Sequence, residues 1–179
     1  MKAAPNIPLD NSRCNEYCCL MHRVATPKRA PRAALEARVF VSLLRTADAL
    51  ARGAEALLKS YRLSGTQYNI LRILRGAGEK GLACSEVGGR LISRDPDITR
   101  LLDRMESRGL IARAREARDR RVVKTRITAE GLRLLNELNQ PVHELHHRQL
   151  RHLPAKQLLQ LSILLDRARE LVEEAHTTD

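Results

Sequence analysis

The sequence predicts a mainly α fold carrying one small β-hairpin, and three observations support this. Leucine and alanine recur at helical spacing through most of the chain from Ala33 onward. The period changes once, near residues 110–127, where two short apolar-and-charged segments flank a run of charge. Aromatic residues make up only 2% of the chain and Trp is absent, too little for the strands of a β-sandwich.

Taken in order, the elements follow from local chemistry. From Ala33 to about Arg62, Leu35, Val39, Leu43, Leu50, Leu57 and Tyr61 fall on helical spacings, with Ala47 and Ala54 between them. No proline interrupts, so one long helix is expected, weakened only at Gly53 and broken at Ser64 and Gly65. Thr66 to Leu74 begins a second helix with Tyr68, Leu71 and Leu74 on one face, and Gly76, Gly78 and Gly81 mark a loop. A third helix is expected from Ser85, as N-cap, to Leu91.

Asp95 and Pro96 suit a helix start, with Asp as N-cap and Pro at the first helical position. Ile98, Leu101, Leu102 and Met105 then define a buried stripe, opposite Asp97, Arg100, Asp103 and Arg104. Gly109 closes this helix. Leu110 and Ile111, the charged stretch from Arg113 to Arg121, and Val122 to Ile127 read as a hairpin. Thr128 can cap a helix carrying Leu132, Leu135, Leu138, Val142 and Leu145, with a kink expected at Pro141. Gly131 stands where a capping box needs an acid. A last helix near Pro154 carries Leu158, Leu161, Leu165 and Leu171.

These elements divide the chain into four parts. Residues 1–32 form a basic tail expected to be flexible; 33–62 is a first dimerisation helix; 63–127 is a winged helix-turn-helix lobe; 128–179 holds C-terminal dimerisation helices. The flanking helices are too apolar to stand alone, so a homodimer is expected.

Composition narrows the function. Lys+Arg at 32 against Asp+Glu at 21 gives a formal charge of +11 and a pI near 10.2, which points to polyanions and to nucleic acid first. The shortage of aromatics argues against base-stacking single-strand binders. No apolar run reaches the roughly 18 residues of a membrane-spanning helix. Residues 1–32 hold four prolines and lack the apolar stretch of a secretory signal, so a cytoplasmic location is expected; Met21 offers a second start site. In that compartment Cys14, Cys18, Cys19 and Cys84 are expected as thiols, and their spacing lacks a paired C-x2-C zinc pattern.

The run from Asp95 through Ile98, Thr99, Arg100, Asp103 and Arg104 to Gly109, Leu110 and Ile111 resembles the recognition helix and first wing strand of the MarR family of transcriptional regulators. Asp119, Arg120 and Arg121, then Ile127 to Gly131, resemble that family's wing and the entry to its dimer helix, while Gln67, Tyr68, Leu71 and Leu74 match its second helix. The resemblance covers about Ala33 to Glu174. It implies a dimeric regulator, a repressor by preference, on a palindromic double-stranded DNA operator and modulated by a small-molecule effector.

Candidate site residues follow. Asp97, Thr99, Arg100 and Arg104 lie where base edges and phosphates are met, and Arg100 suits guanine O6 and N7. From Arg113 to Arg126 seven cations face two carboxylates, so the whole hairpin reads as a DNA-facing surface. Within it Arg118, Asp119, Arg120 and Arg121 are the candidate contacts; the resemblance implies that Arg121 enters the minor groove with Asp119 orienting it. Phe40, Tyr61 and Tyr68 are the aromatics available to an effector pocket. No P-loop, nucleophile elbow or dinucleotide fingerprint is present, and no cofactor or enzymatic activity is expected.

One motif competes. His143, Glu144 and His147 satisfy H-E-x-x-H, which on a helix places two imidazoles one turn apart for zinc. The alternative functions are therefore a zinc-responsive regulator or a zinc-dependent hydrolase. The pattern is short, no third ligand follows at metzincin spacing, and solvent-facing histidines on a dimer-flank helix are the favoured reading. No Cys lies between Cys19 and Cys84, which removes the thiol that a peroxide sensor would need near the first helix.

Overall fold

The computed structural model describes residues 31–92, 97–115 and 123–175, the side chains of the last helix only to residue 170. The chain divides into two compact units, residues 1–49 and 50–179, the division falling within the first helix. That helix, α1, spans Arg32–Ser60. In the first unit, Leu35, Val39, Phe40, Leu43 and Leu44 are all exposed.

The second unit holds the core. Its elements are the end of α1, α2 (Gly65–Ala77), a 3-10 turn (Gly78–Lys80), β1 (Leu82–Ala83), α3 (Cys84–Gly89), α4 (Ile98–Ser107), β2 (Ile111–Arg115), β3 (Val123–Ile127), α5 (Ala129–Leu150) and α6 (Ala155–Ala175). Leu58, Ile70, Leu71, Leu74, Val87, Leu102, Met105, Ile111, Leu135 and Leu138 pack into one cluster. Leu58, rather than the neighbouring Leu57 of the expected stripe, is the buried residue at the end of α1.

Backbone chemistry explains the boundaries. α1 closes when Leu63 N–H reaches the Leu58 carbonyl and Arg62 N–H reaches Lys59, each at 3.0 Å, with Arg62 in the left-handed region at φ 55°. The break therefore comes at Arg62, two residues before the expected one. Ser64 opens α2 through a reciprocal capping box with Gln67, at 3.2 and 3.0 Å. Thr128 caps α5, accepting from Gly131 N–H at 3.1 Å, while its own hydroxyl donates to the Gly109 carbonyl at 2.6 Å.

Two expectations need correction here. The third helix starts at Cys84, with Ala83 rather than Ser85 at the cap position, and ends at Gly89 rather than Leu91. The cause is β1, a two-residue strand that claims Leu82 and Ala83, while the Glu86 carboxylate accepts from Ala83 N–H at 2.6 Å. The hairpin is consequently the larger part of a three-stranded sheet ordered β1-β3-β2. Its antiparallel register runs from Ile111 opposite Ile127 to Arg115 opposite Val123, with Leu82 opposite Thr125.

α5 runs through Pro141 as one helix and buries Leu135, Leu138 and Leu145, but Leu132 is 37% exposed. On α6, Leu159, Leu161, Ile163 and Leu164 are exposed. Among the described residues no helix is long and apolar enough to cross a membrane.

Candidate nucleic-acid interface

α4 is built to expose one face. Leu101, Leu102 and Met105 anchor it in the core at 5% exposure or less, and Ile98 packs against the same cluster. Gly109, at φ +71°, ends it in a Schellman turn: Gly109 N–H donates to Glu106 and Leu110 N–H to Met105, at 2.8 and 3.0 Å. At the other end the Leu101 N–H donates to the Asp97 carbonyl at 3.1 Å, and the Asp97 side chain makes no cap bond. The expected start at Asp95 and Pro96 lies outside the described residues, and the helix begins at Ile98.

Two contacts hold α4 against its surroundings, and one more ties the segment after α3 to α2. The Asn69 Oδ1 of α2 accepts from the Ile92 N–H at 3.2 Å. Cys84 Sγ lies 3.9 Å from Thr99 Oγ1 at the start of α3. Arg108 Nη1 donates to the Arg62 carbonyl at 2.7 Å.

The outer surface of α4 carries two charge stripes. Arg100 and Arg104, four residues apart, are both exposed, and the Arg100 side chain is 81% accessible beside Asp97 at 3.6 Å. Asp97 and Thr99 are exposed at the same end, so the four residues expected to meet DNA share the exposed part of the helix. The second stripe, Asp103 and Glu106, is acidic and turns toward β2.

Arg113 on β2 neutralises that acidic stripe. Its Nε and Nη2 donate to Glu106 Oε2 at 2.8 and 2.6 Å, its backbone N–H donates to Glu106 Oε1 at 3.0 Å, and Nη2 also reaches Asp103 Oδ1 at 2.5 Å. These bonds hold the Glu106 carboxyl below the usual carboxylate range, chiefly through the Arg113 side chain.

The reading of the whole hairpin as a DNA-facing surface needs correction. Besides Arg113, Lys124 pairs with Glu86 at 3.1 Å and Arg126 donates Nε to the Glu79 carbonyl at 2.6 Å. These three cations are half-buried and tie the hairpin to α3, α4 and the 3-10 turn. Arg115 is exposed; Arg118, Asp119, Arg120 and Arg121 lie outside the described residues. Sequence reasoning missed the tie because it counted charge along the hairpin alone. The signal was the Asp103 and Glu106 pair, three residues apart, on a helix that precedes the strand.

Of the aromatics, Tyr61 and Tyr68 are half-buried against the core of the second unit, and Arg72 stacks over the Tyr68 ring at 5.9 Å. Phe40 belongs to the first unit and is 60% exposed. His143 and His147 are exposed on α5. Among the described residues no three His, Cys, Asp or Glu side chains gather to hold a metal ion.

An exposed basic helix face beside an antiparallel wing, on a leucine core, matches known proteins. The MarR family model matches residues 63–123. The HTH-type transcriptional repressor IacR of Pseudomonas putida is 30% identical over 127 residues, 71% of this chain and 75% of that protein. Among solved structures, a MarR transcription factor from Planctomyces limnophilus is 40% identical with a TM-score of 0.59, covering 77% of this chain and 98% of that one. A mutant MarR from E. coli complexed with operator DNA shares the fold at 22% identity and a TM-score of 0.67, over 78% of this chain and 99% of that one. With relatives of this identity matched over three quarters or more of their own length, the chain belongs to the MarR family and is a DNA-binding transcriptional regulator.

Proposed function

We propose that this protein is a repressor that binds a two-fold symmetric double-stranded operator as a homodimer in the cytoplasm, and that α4 reads the major groove. The observation that carries this is the partition of charge on α4. Arg100 and Arg104 face outward while Asp103 and Glu106 are held by Arg113, so a helix with acids on its surface presents cations to DNA.

In this reading Arg100 forks onto a guanine, with Asp97 and Thr99 beside it and Arg104 on the backbone. Arg118, Asp119, Arg120 and Arg121 belong to the wing, with Arg121 in the minor groove. The exposed leucines of α1 in the first unit and of α6 in the second support a dimer, since each set is an apolar surface left exposed among the described residues. A small-molecule effector completes the proposal, and Tyr61 and Tyr68 are the half-buried aromatic surfaces the second unit offers it.

Footprinting on an operator selected from a random library tests the assignment. Two protected half-sites related by two-fold symmetry, about one helical turn apart, are expected. A single asymmetric half-site, or no preference over random duplex, would overturn it.

A further inference from the structure

We propose that Arg113 is a positioning residue for DNA reading. Gripping Glu106 and Asp103, it sets α4 at a fixed orientation to the first wing strand, so that the two DNA-reading elements stay registered with each other. The proposal rests on the assignment of α4 as the reading helix.

By sequence Arg113 belongs to the cationic run of the hairpin; by geometry it does not. The strand pairing sets it opposite Thr125, whose side chain is buried, and its own side chain is only 25% accessible. Its guanidinium nitrogens Nε and Nη2 are directed at protein carboxylates, so the fork that would chelate a phosphate is already occupied.

The attachment is directional in a way the core is not. Leu102 and Met105 hold α4 by burying its apolar stripe, which sets the face turned inward through contacts that have no bond direction. Glu106 instead receives the backbone N–H of Arg113 on one oxygen and the side chain on the other. Asp103, three residues earlier on the same stripe, takes a further bond. Two points along α4 are thereby tied to one residue of β2, and the Arg100 and Arg104 stripe is held to the side. A lysine in place of Arg113 offers one ammonium and cannot reproduce the planar fork.

Binding measurements on full-length variants test this. Against a selected operator and a random duplex of equal length, Arg113→Ala is expected to weaken the operator by about tenfold and the random duplex by less than about twofold. The slope of log affinity against log salt should match wild type, because no phosphate contact is lost. Glu106→Gln gives the sharper arm. Removing a negative charge near DNA should tighten all binding if charge alone matters, whereas loss of the tie should selectively weaken the operator. This variant also carries the test if Arg113→Ala does not fold.

Equal weakening of both duplexes by Arg113→Ala, with the slope reduced by about 0.9, makes Arg113 a direct phosphate contact and overturns the proposal. Unchanged discrimination in both variants overturns it too, leaving the tie with a structural role alone. Arg100→Ala, run alongside, reports on the helix assignment separately: an unchanged base preference there is a failure of that assignment, whatever the Arg113 and Glu106 variants do.

Discussion

Arg108, at the C-terminal end of α4, donates Nη1 to the carbonyl oxygen of Arg62 at 2.7 Å, across 46 residues of sequence. The acceptor residue is the one non-glycine at positive φ among the described residues, so the corner between α1 and α2 is both strained and held from α4. Arg62→Gly keeps the carbonyl and removes the strain. It is expected to raise stability by up to about 1 kcal/mol, the left-handed penalty less the flexibility of glycine. Arg108→Ala should lower stability by about 1 kcal/mol. Urea unfolding of both variants checks the pair; a destabilised Arg62→Gly would show that the arginine side chain, not its backbone, matters at this corner.

Gly131 sits where a Cβ would lie 2.3 Å from the Leu110 carbonyl oxygen and 2.8 Å from Ile127 Cγ1. Both neighbours belong to the wing, so the start of α5 can approach it only without a side chain. Gly131→Ala is expected to destabilise by about 1–3 kcal/mol through overpacking, despite the better helix propensity of alanine. A Tm equal to or above wild type would mean that α5 shifts without cost.

Thr125 is 1% exposed in the central strand, and its hydroxyl has no hydrogen-bond partner among the described residues. Thr125→Val keeps shape and β-branching and removes an unpartnered polar group. Stability is expected to rise by about 1 kcal/mol, measured by denaturant midpoint at unchanged slope. A loss of stability would reveal a partner for the hydroxyl.

Much of the fold was legible because helical periodicity is a local signal repeated many times. Leu101, Leu102 and Met105, together with Gly109 as terminator, defined α4 and its buried face from spacing alone. β1 escaped because two residues carry no period, and its existence depends on β3, some forty positions away. The α2 start was written in Ser64 and Gln67, a capping box read instead as a break. The site was legible in type but not in allocation: Arg113, Lys124 and Arg126 count as surface charge until the fold places Glu106, Glu86 and the Glu79 carbonyl opposite them. Pairing across elements is set by tertiary geometry, which no run of charge encodes.

Acid should loosen the α4–β2 tie. The Glu106 carboxyl titrates below its ordinary value of 4.5, mainly because of the Arg113 side chain. A depressed carboxylate contributes stability that is fully present above the unfolded value and lost as pH falls through the folded one. Wild type should therefore lose more stability than Glu106→Gln as pH drops below about 4.5, and the two should run parallel above it. Chemical denaturation of both proteins across that range checks the sign; parallel curves throughout would mean that the tie contributes nothing to folding.

The most direct test of α4 as the reading element is a base-preference profile of wild type and Arg100→Ala on a library of operator variants. Arg100→Ala should lose preference at one position in each half-site, by about 1–3 kcal/mol, while affinity for random duplex stays close to wild type. The reason is geometric, since a major-groove arginine meets a distinguishing donor and acceptor pattern whereas a phosphate contact does not. A uniform loss of affinity on every sequence, with the half-site preferences intact, would contradict the assignment and leave Arg100 as a backbone contact.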